Sequence, residues 1–171
     1  PFMVQAGCTV LAFAGDDEKL KWMKNDLGFD QVFNYKKVKP RQVFKEFAPN
    51  GINRYFDNVG GEFACYVMQH MVPLGRIAVC GAIATYNNEQ KGPPLVPLDY
   101  QSLIYKNLRI EGFVVYSFKK DWMEGLQQMR DWIVEGKLKI QETVSDGFET
   151  MPQSFIDLLD GKNIGKQIIK A

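Results

Sequence analysis

With 171 residues, 46% of them hydrophobic and 24% charged, the chain can bury one ordinary core but not two comfortable ones. Its 21 Lys and Arg balance 20 Asp and Glu for a formal net charge of +1, so there is no general attraction to nucleic-acid backbones or anionic lipid. The apolar runs, such as Val10 to Ala14 and Phe113 to Tyr116, fall far short of the roughly 20 residues that cross a bilayer.

Three cysteines, Cys8, Cys65 and Cys80, form no CxxC pair, and an odd count cannot close into a disulfide framework. A reducing, cytoplasmic setting is expected. With His70 the single histidine, no set of zinc ligands is recognisable and no metal site is expected. The start Pro1-Phe2-Met3-Val4 lacks an initiator Met, a charged leader and a signal-like apolar segment, which fits a piece of a longer protein.

Strand-length apolar stretches alternate with segments of helical periodicity, the pattern of βαβ units around a mostly parallel, doubly wound sheet. In chain order, Phe2 to Gln5 reads as the last turn of a helix ended by Ala6-Gly7, and Cys8 to Ala14 as a strand. Acidic Asp16-Asp17-Glu18 opens a helix that runs to Leu27, with Gly28 as its stop. Gln31 to Asn34 is a short strand, Pro40 to Phe47 a helix opened by proline, and Asn53 to Asp57 the next strand. After Gly60-Gly61 a helix spans Glu62 to Met71 and leads through Pro73 and Gly75 into the strand Arg76 to Cys80. The polar, proline-rich stretch Thr85 to Pro97 is too long for an ordinary connection and is placed at the rim of a site. A short helix Tyr100 to Lys106, a strand Leu108 to Val115 and a helix Asp121 to Glu135 stopped by Gly136 follow. The tail gives a strand Glu142 to Val144, a helix Pro152 to Leu159 and a strand Lys166 to Lys170.

Mononucleotide-binding folds seat phosphate on a glycine-rich turn between the first strand and helix. The chain has no G-x-G-x-x-G, so in such a fold the first strand and that turn would lie upstream of Pro1, and Cys8 to Ala14 would be the second strand. The end of that strand selects the cofactor: an acid holds the ribose hydroxyls of NAD, a cation accommodates the 2′-phosphate of NADP. Asp16 and Asp17 stand there beside Lys19 and Lys21, and the residues alone leave open whether these select a cofactor or only cap a helix.

Several long strings then occur in order. They are Gly28-Phe29-Asp30 with Val32-Phe33-Asn34-Tyr35, Tyr55-Phe56-Asp57-Asn58-Val59-Gly60-Gly61, and Gly75-Arg76-Ile77-Ala78-Val79-Cys80-Gly81-Ala82-Ile83. Downstream come Phe113-Val114-Val115-Tyr116, Glu135-Gly136-Lys137, Gly147-Phe148-Glu149, Met151-Pro152 and Gly161-Lys162-Asn163-Ile164-Gly165-Lys166. Taken together and at this spacing they resemble the zinc-independent medium-chain dehydrogenase/reductase superfamily, and within it the prostaglandin reductase 1 and alkenal double-bond reductase group. The resemblance covers essentially the whole chain.

The resemblance implies a Rossmann-like α/β fold in which residues 1–171 form a partial nucleotide-binding domain plus a C-terminal segment returning to a catalytic domain. It implies NADP(H) as cofactor, with Lys19 and Tyr35 at the adenosine 2′-phosphate and Asn58 as a contact at a strand end. The turn Cys80, Gly81, Ala82, Ile83, Ala84, Thr85 and Tyr86 falls on the nicotinamide side, lined also by Phe113, Val114 and Val115 and reached by Asn163. Tyr86 stands nearest the substrate as the catalytic candidate. Each position has a plainer reading. Asn58 suits a helix cap, Phe113 to Val115 a buried strand, Tyr35 a surface aromatic, Asn163 a turn before Gly165, Cys80 a small core residue and His70 a structural one. One departure bears on the cofactor: relatives commonly carry a small hydroxyl residue where this chain has Asp16, and a further carboxylate repels a 2′-phosphate.

The activity implied for the full-length protein is NADPH-dependent reduction of the carbon–carbon double bond of α,β-unsaturated ketones and aldehydes, of the 15-oxoprostaglandin or 2-alkenal type. The resemblance also implies a homodimer. Two rivals remain: an inactive dinucleotide-binding module, for this chain alone, and a related quinone reductase.

Overall fold

The computed structural model describes residues 2–86 and 96–171. The chain forms two compact units, one from the stretch up to Val38 with Trp122–Ala171, the other Lys39–Asp121. Every strand pair in both is parallel.

In the first unit, α1 (Phe2–Gln5) ends at Gly7, whose φ is 73°, and the chain enters β1 (Leu11–Ala14). β1 pairs with β2 (Gln31–Asn34) through α2 (Asp17–Asn25), and Phe13 lies 5.4 Å from Phe33 across the pair. β1 is shorter than the predicted Cys8 to Ala14. β2 offers no residue before Gln31, and the Val10 N–H goes instead to the Asp30 carboxylate at 2.7 Å. α2 likewise stops at Asn25, before Leu27: the Asp26 N–H makes the last helical bond, to the Trp22 carbonyl, and the Leu27 N–H returns to that same carbonyl instead of continuing the pattern. α6 (Trp122–Val134) packs Trp132 edge-on against Phe2 at 5.2 Å. β6 (Glu142–Asp146), two residues longer than predicted, pairs with β7 (Lys166–Lys170) through α7 (Met151–Leu159). Only glycine fits at Gly165: its φ is 72°, and a Cβ there would stand 1.9 Å from the Gln141 carbonyl oxygen.

The second unit is α3 (Pro40–Phe47), β3 (Ile52–Asp57), α4 (Gly61–His70), β4 (Met71–Val79), α5 (Tyr100–Tyr105) and β5 (Arg109–Gly112), with strand order β3-β4-β5. Val43 and Phe44 of α3, Val67 and Met68 of α4, and Met71, Ile77 and Leu108 are its buried core. Burying each large side chain contributes about 1.5–3 kcal/mol. His70 is structural as read: its ring lies 5.2 Å from Phe44 and its Nδ1 is 2.9 Å from the Tyr66 carbonyl.

β4 departs from the predicted turn through Pro73 and Gly75. Ile52 pairs with Met71 and Arg54 with Arg76, so two steps on β3 face five on β4, and the excess bulges out around Leu74 at φ 61°. Proline without an N–H is tolerated at such a bulge. β5 is also shorter than the predicted Leu108 to Val115. Phe113 still donates to the Val79 carbonyl, but β4 ends there, and the chain leaves the sheet for a 3₁₀ segment, Val115–Asp121. The stretch Thr85 to Pro97 lies largely outside the described residues.

Candidate functional site

Parallel strands deliver their C-terminal ends to one edge, where open α/β sheets bind ligands. In the second unit the register Asp57↔Val79↔Gly112 puts the ends of β3, β4 and β5 side by side. Asn58, the turn Cys80–Tyr86 and Phe113 are therefore brought together at that edge.

The turn after β3 is organised by Asp57, which is 3% exposed. Its Oδ1 accepts from the Tyr55 hydroxyl at 2.8 Å and from the N–H groups of Val59 and Gly60 at 2.8 and 2.9 Å. Burial first, and then this bond to a carboxylate, push the Tyr55 phenol well above its ordinary value. Gly60 and Gly61 both take positive φ, and α4 starts with no side-chain cap. Asn58 is thus not the helix cap. It is exposed, and its carbonyl accepts from Ile83 N–H at 3.1 Å.

The turn after β4 is laced to the turn after β3. Cys80 and Gly81 donate to the Asp57 carbonyl at 2.8 and 3.2 Å, and Ala84 donates to Val59 at 3.1 Å. Ala82, Ile83 and Ala84 lie along this contact, while Thr85 Oγ1 closes the turn on the Ala82 carbonyl at 2.8 Å. Cys80 is exposed, which corrects its reading as a core residue. The Tyr86 ring folds back so that its hydroxyl oxygen accepts from Ala82 N–H at 3.4 Å, yet the residue is 64% exposed and its hydroxyl proton has no acceptor among the described residues. A Cβ at Gly81 would stand 3.1 Å from that oxygen, so a bare residue leaves room for the phenol. Phe113 packs edge-on to Phe56 and Phe118, both at 5.9 Å. Val114 and Val115 are exposed beyond the strand end, which corrects their reading as buried strand.

In the first unit, the ends of β1 and β2 gather a second set. Asp16 caps α2, its Oδ1 accepting from the N–H groups of Glu18 and Lys19 at 3.0 and 3.1 Å. Asp17 accepts from Asn34 Nδ2 at 2.6 Å and pairs with the Lys37 ammonium, and these two partners, Lys37 foremost, hold its carboxyl below the usual range. Lys21 pairs with Glu18 at 2.6 Å. Lys19 has no carboxylate partner among the described residues. Tyr35 is 51% exposed and lies against Gly15, where a Cβ would meet its hydroxyl at 2.8 Å. Asn163 donates its amide to the Gly165 carbonyl at 2.8 Å, the bond expected of a turn residue, and leaves its side-chain oxygen without a described partner.

The sequence reading missed Lys36 and Asp57. The Lys36 ammonium stands 6.0 Å from the Tyr35 ring centroid, its N–H goes to Asn34 Oδ1, and it has no carboxylate partner among the described residues. Asp57 was detectable as an Asx turn, an aspartate three residues before a glycine at a helix start. Among the described residues no group of three or more His, Cys, Asp or Glu side chains could hold a metal ion, and Cys65 is engaged with the Pro97 carbonyl at 3.0 Å. No helix among the described residues is long and apolar enough to cross a membrane.

The chain is 46% identical over 168 residues to prostaglandin reductase 1 of Bos taurus, covering 96% of this chain and 50% of that protein. It is 39% identical over 165 residues to the putative NADP-dependent oxidoreductase YfmJ of Bacillus subtilis, at 96% and 49% coverage. The chain thus spans about half the length of the curated relatives it matches. Among solved structures, CurA of Vibrio vulnificus in complex with NADPH superposes with a TM-score of 0.90 at 31% identity, over 99% of this chain and 51% of that one. The model of the zinc-binding dehydrogenase family matches residues 2–131, and with an α/β fold of parallel strands throughout, the chain belongs to that family.

Proposed function

We propose that the full-length protein is an NADPH-dependent reductase of the carbon–carbon double bond of α,β-unsaturated ketones and aldehydes, and that this chain supplies part of its nucleotide-binding domain and a segment returning to the catalytic domain. The observation that carries the reading is the convergence of Asn58, the Cys80–Tyr86 turn and Phe113 at the C-terminal edge of β3, β4 and β5. Such an edge, with bare backbone at Gly81 and only a methyl at Ala82, suits a flat polar ligand. Relatives named prostaglandin reductase 1 and an NADPH complex of similar structure support the same reading.

Lys19, Lys36 and Tyr35 would hold the 2′-phosphate, two ammonium charges and a phenolic donor against an anion. Asn58, the Cys80–Tyr86 turn, Phe113, Val114 and Val115 would face the nicotinamide portion. When bound, the reduced cofactor would supply a hydride to the β-carbon of the enone, and the resulting enolate would take a solvent proton at its α-carbon. The Tyr86 hydroxyl, held by its oxygen at the Ala82 N–H, donates a hydrogen bond toward the enolate oxygen that develops on the substrate, and need not give up its proton. The turn contacts from Asp57, Asn58 and Val59 keep that phenol oriented, which is the protein's share of the rate.

The test uses the full-length protein with NADPH and a 2-alkenal, following cofactor absorbance and identifying the product by mass spectrometry. A saturated aldehyde with its carbonyl intact is the result that supports the proposal. Turnover of quinones with no reduction of enals or enones would replace it with the quinone reductase reading.

A further inference from the structure

We infer that Lys37 is a positioning residue for cofactor choice: by clamping the Asp17 carboxylate, together with Asn34, it keeps that charge from opposing a 2′-phosphate at the end of β1. The inference rests on the NADPH reading above.

A carboxylate at this strand end ordinarily selects the ribose diol of NADH. The chain carries two there, Asp16 engaged through one oxygen and Asp17 through both. Asp16 is committed to the N–H groups of Glu18 and Lys19 as the α2 cap. Asp17 has both oxygens engaged, Oδ1 by Asn34 Nδ2 and Oδ2 by the Lys37 ammonium. Asn34 is a fixed anchor for this arrangement. It ends β2, is 8% exposed, and its own Oδ1 accepts from Lys36 N–H at 3.1 Å. One amide therefore ties Asp17 to the turn that carries Tyr35, Lys36 and Lys37.

The consequence is a division of labour among the lysines. Lys21 neutralises Glu18 and Lys37 neutralises Asp17, whereas Lys19 and Lys36 have no carboxylate partner among the described residues and stay available to an anion. Without Lys37, the Asp17 carboxylate keeps one neutral hydrogen bond and an uncompensated charge. It then competes with a phosphate for Lys19 and Lys36, and offers an acceptor to a ribose hydroxyl. Asp17→Asn removes that charge but retains an amide oxygen for Asn34, so it should cancel the loss.

The experiment measures dissociation constants of NADPH and NADH by fluorescence titration of the full-length protein. Adenosine 2′,5′-bisphosphate and AMP, followed by calorimetry, serve as probes independent of turnover. Lys37→Met should weaken NADPH and the bisphosphate by roughly threefold to fivefold, the effect of losing one exposed charge pair, with NADH and AMP unweakened. Asp17→Asn/Lys37→Met should restore the preference, and Lys37→Arg should keep it. Lys37 is solvent-exposed, so the single variant should fold, which a thermal melt verifies. An unchanged NADPH to NADH ratio in Lys37→Met, or a double variant no better than the single, overturns the inference alone. A parent protein that does not prefer NADPH overturns the cofactor reading and this inference with it.

Discussion

The Tyr55 hydroxyl donates to Asp57 Oδ1 at 2.8 Å, and the same oxygen receives the N–H groups of Val59 and Gly60. One buried carboxylate atom thus holds the side chain of β3 and the first turn after it, while the Asp57 carbonyl holds Cys80 and Gly81 of the neighbouring turn.

Asp57→Ala should therefore cost more than an ordinary substitution. Three donors lose their acceptor at a residue 3% exposed, and leaving such groups unpaired costs on the order of 3 kcal/mol. Asp57→Asn, which keeps one side-chain oxygen, should cost less. Urea denaturation of the full-length protein measures both, and equal stability of Asp57→Ala and the parent would show that the turn holds itself.

The same pair predicts an alkaline limit. The Tyr55 phenol is raised from its ordinary 10.0 by burial first and by Asp57 second. The folded state keeps its proton where the unfolded chain has lost it, so this contribution is intact below pH 10 and is lost as pH rises beyond it. Tyr55→Phe should start less stable but lose less melting temperature between about pH 9 and pH 11. Parallel curves for the two proteins would show that Tyr55 does not govern the alkaline loss.

Cofactor choice is tested at three residues. Lys19→Ala and Lys36→Ala should each weaken NADPH more than NADH, since only NADPH carries the phosphate their ammonium groups would face. Asp16→Ser, which removes a carboxylate and keeps a capping hydroxyl for α2, should strengthen NADPH and leave helix stability nearly unchanged. Equal effects on both cofactors across the series would reduce these residues to helix and turn chemistry.

Tyr86→Phe should lower enone reduction while leaving NADPH affinity close to the parent's. The ring is retained, and the bond lost to Ala82 N–H is a long one at 3.4 Å. A donor to a developing oxyanion accounts for about 10²–10³-fold in kcat. Turnover at saturating substrate, with cofactor binding measured separately, decides the matter. Parent-like turnover would assign enolate stabilisation elsewhere.

Self-association is expected through β5, which ends the order β3-β4-β5 and has no strand on its far side among the described residues. Two such edges can pair about a two-fold axis. Sedimentation of the full-length protein should give a dimer, and Ile110→Pro, which removes a strand N–H, should shift it toward monomer. A monomer at high concentration would leave the edge unused.

Elements defined by local signals were legible in the sequence. Pro40 opening α3, the β2 segment Gln31–Asn34 and the tail strand Lys166–Lys170 stand at the predicted bounds, because proline geometry and short apolar alternation act within a few residues. The family was legible too, from strings such as Tyr55 to Gly61 and Gly75 to Ile83. Tertiary structure alone decided where β1 and β5 begin and end, since a strand lasts only as long as its neighbour supplies partners. It alone turned Cys80, Val114 and Val115 outward, made Asp57 rather than Asn58 the organiser of the turn, and gave Lys37 to Asp17 across 20 residues while leaving Lys19 and Lys36 without a carboxylate. Charge pairing and hydrogen-bond partnership depend on distances in space, and spacing along the chain does not fix them.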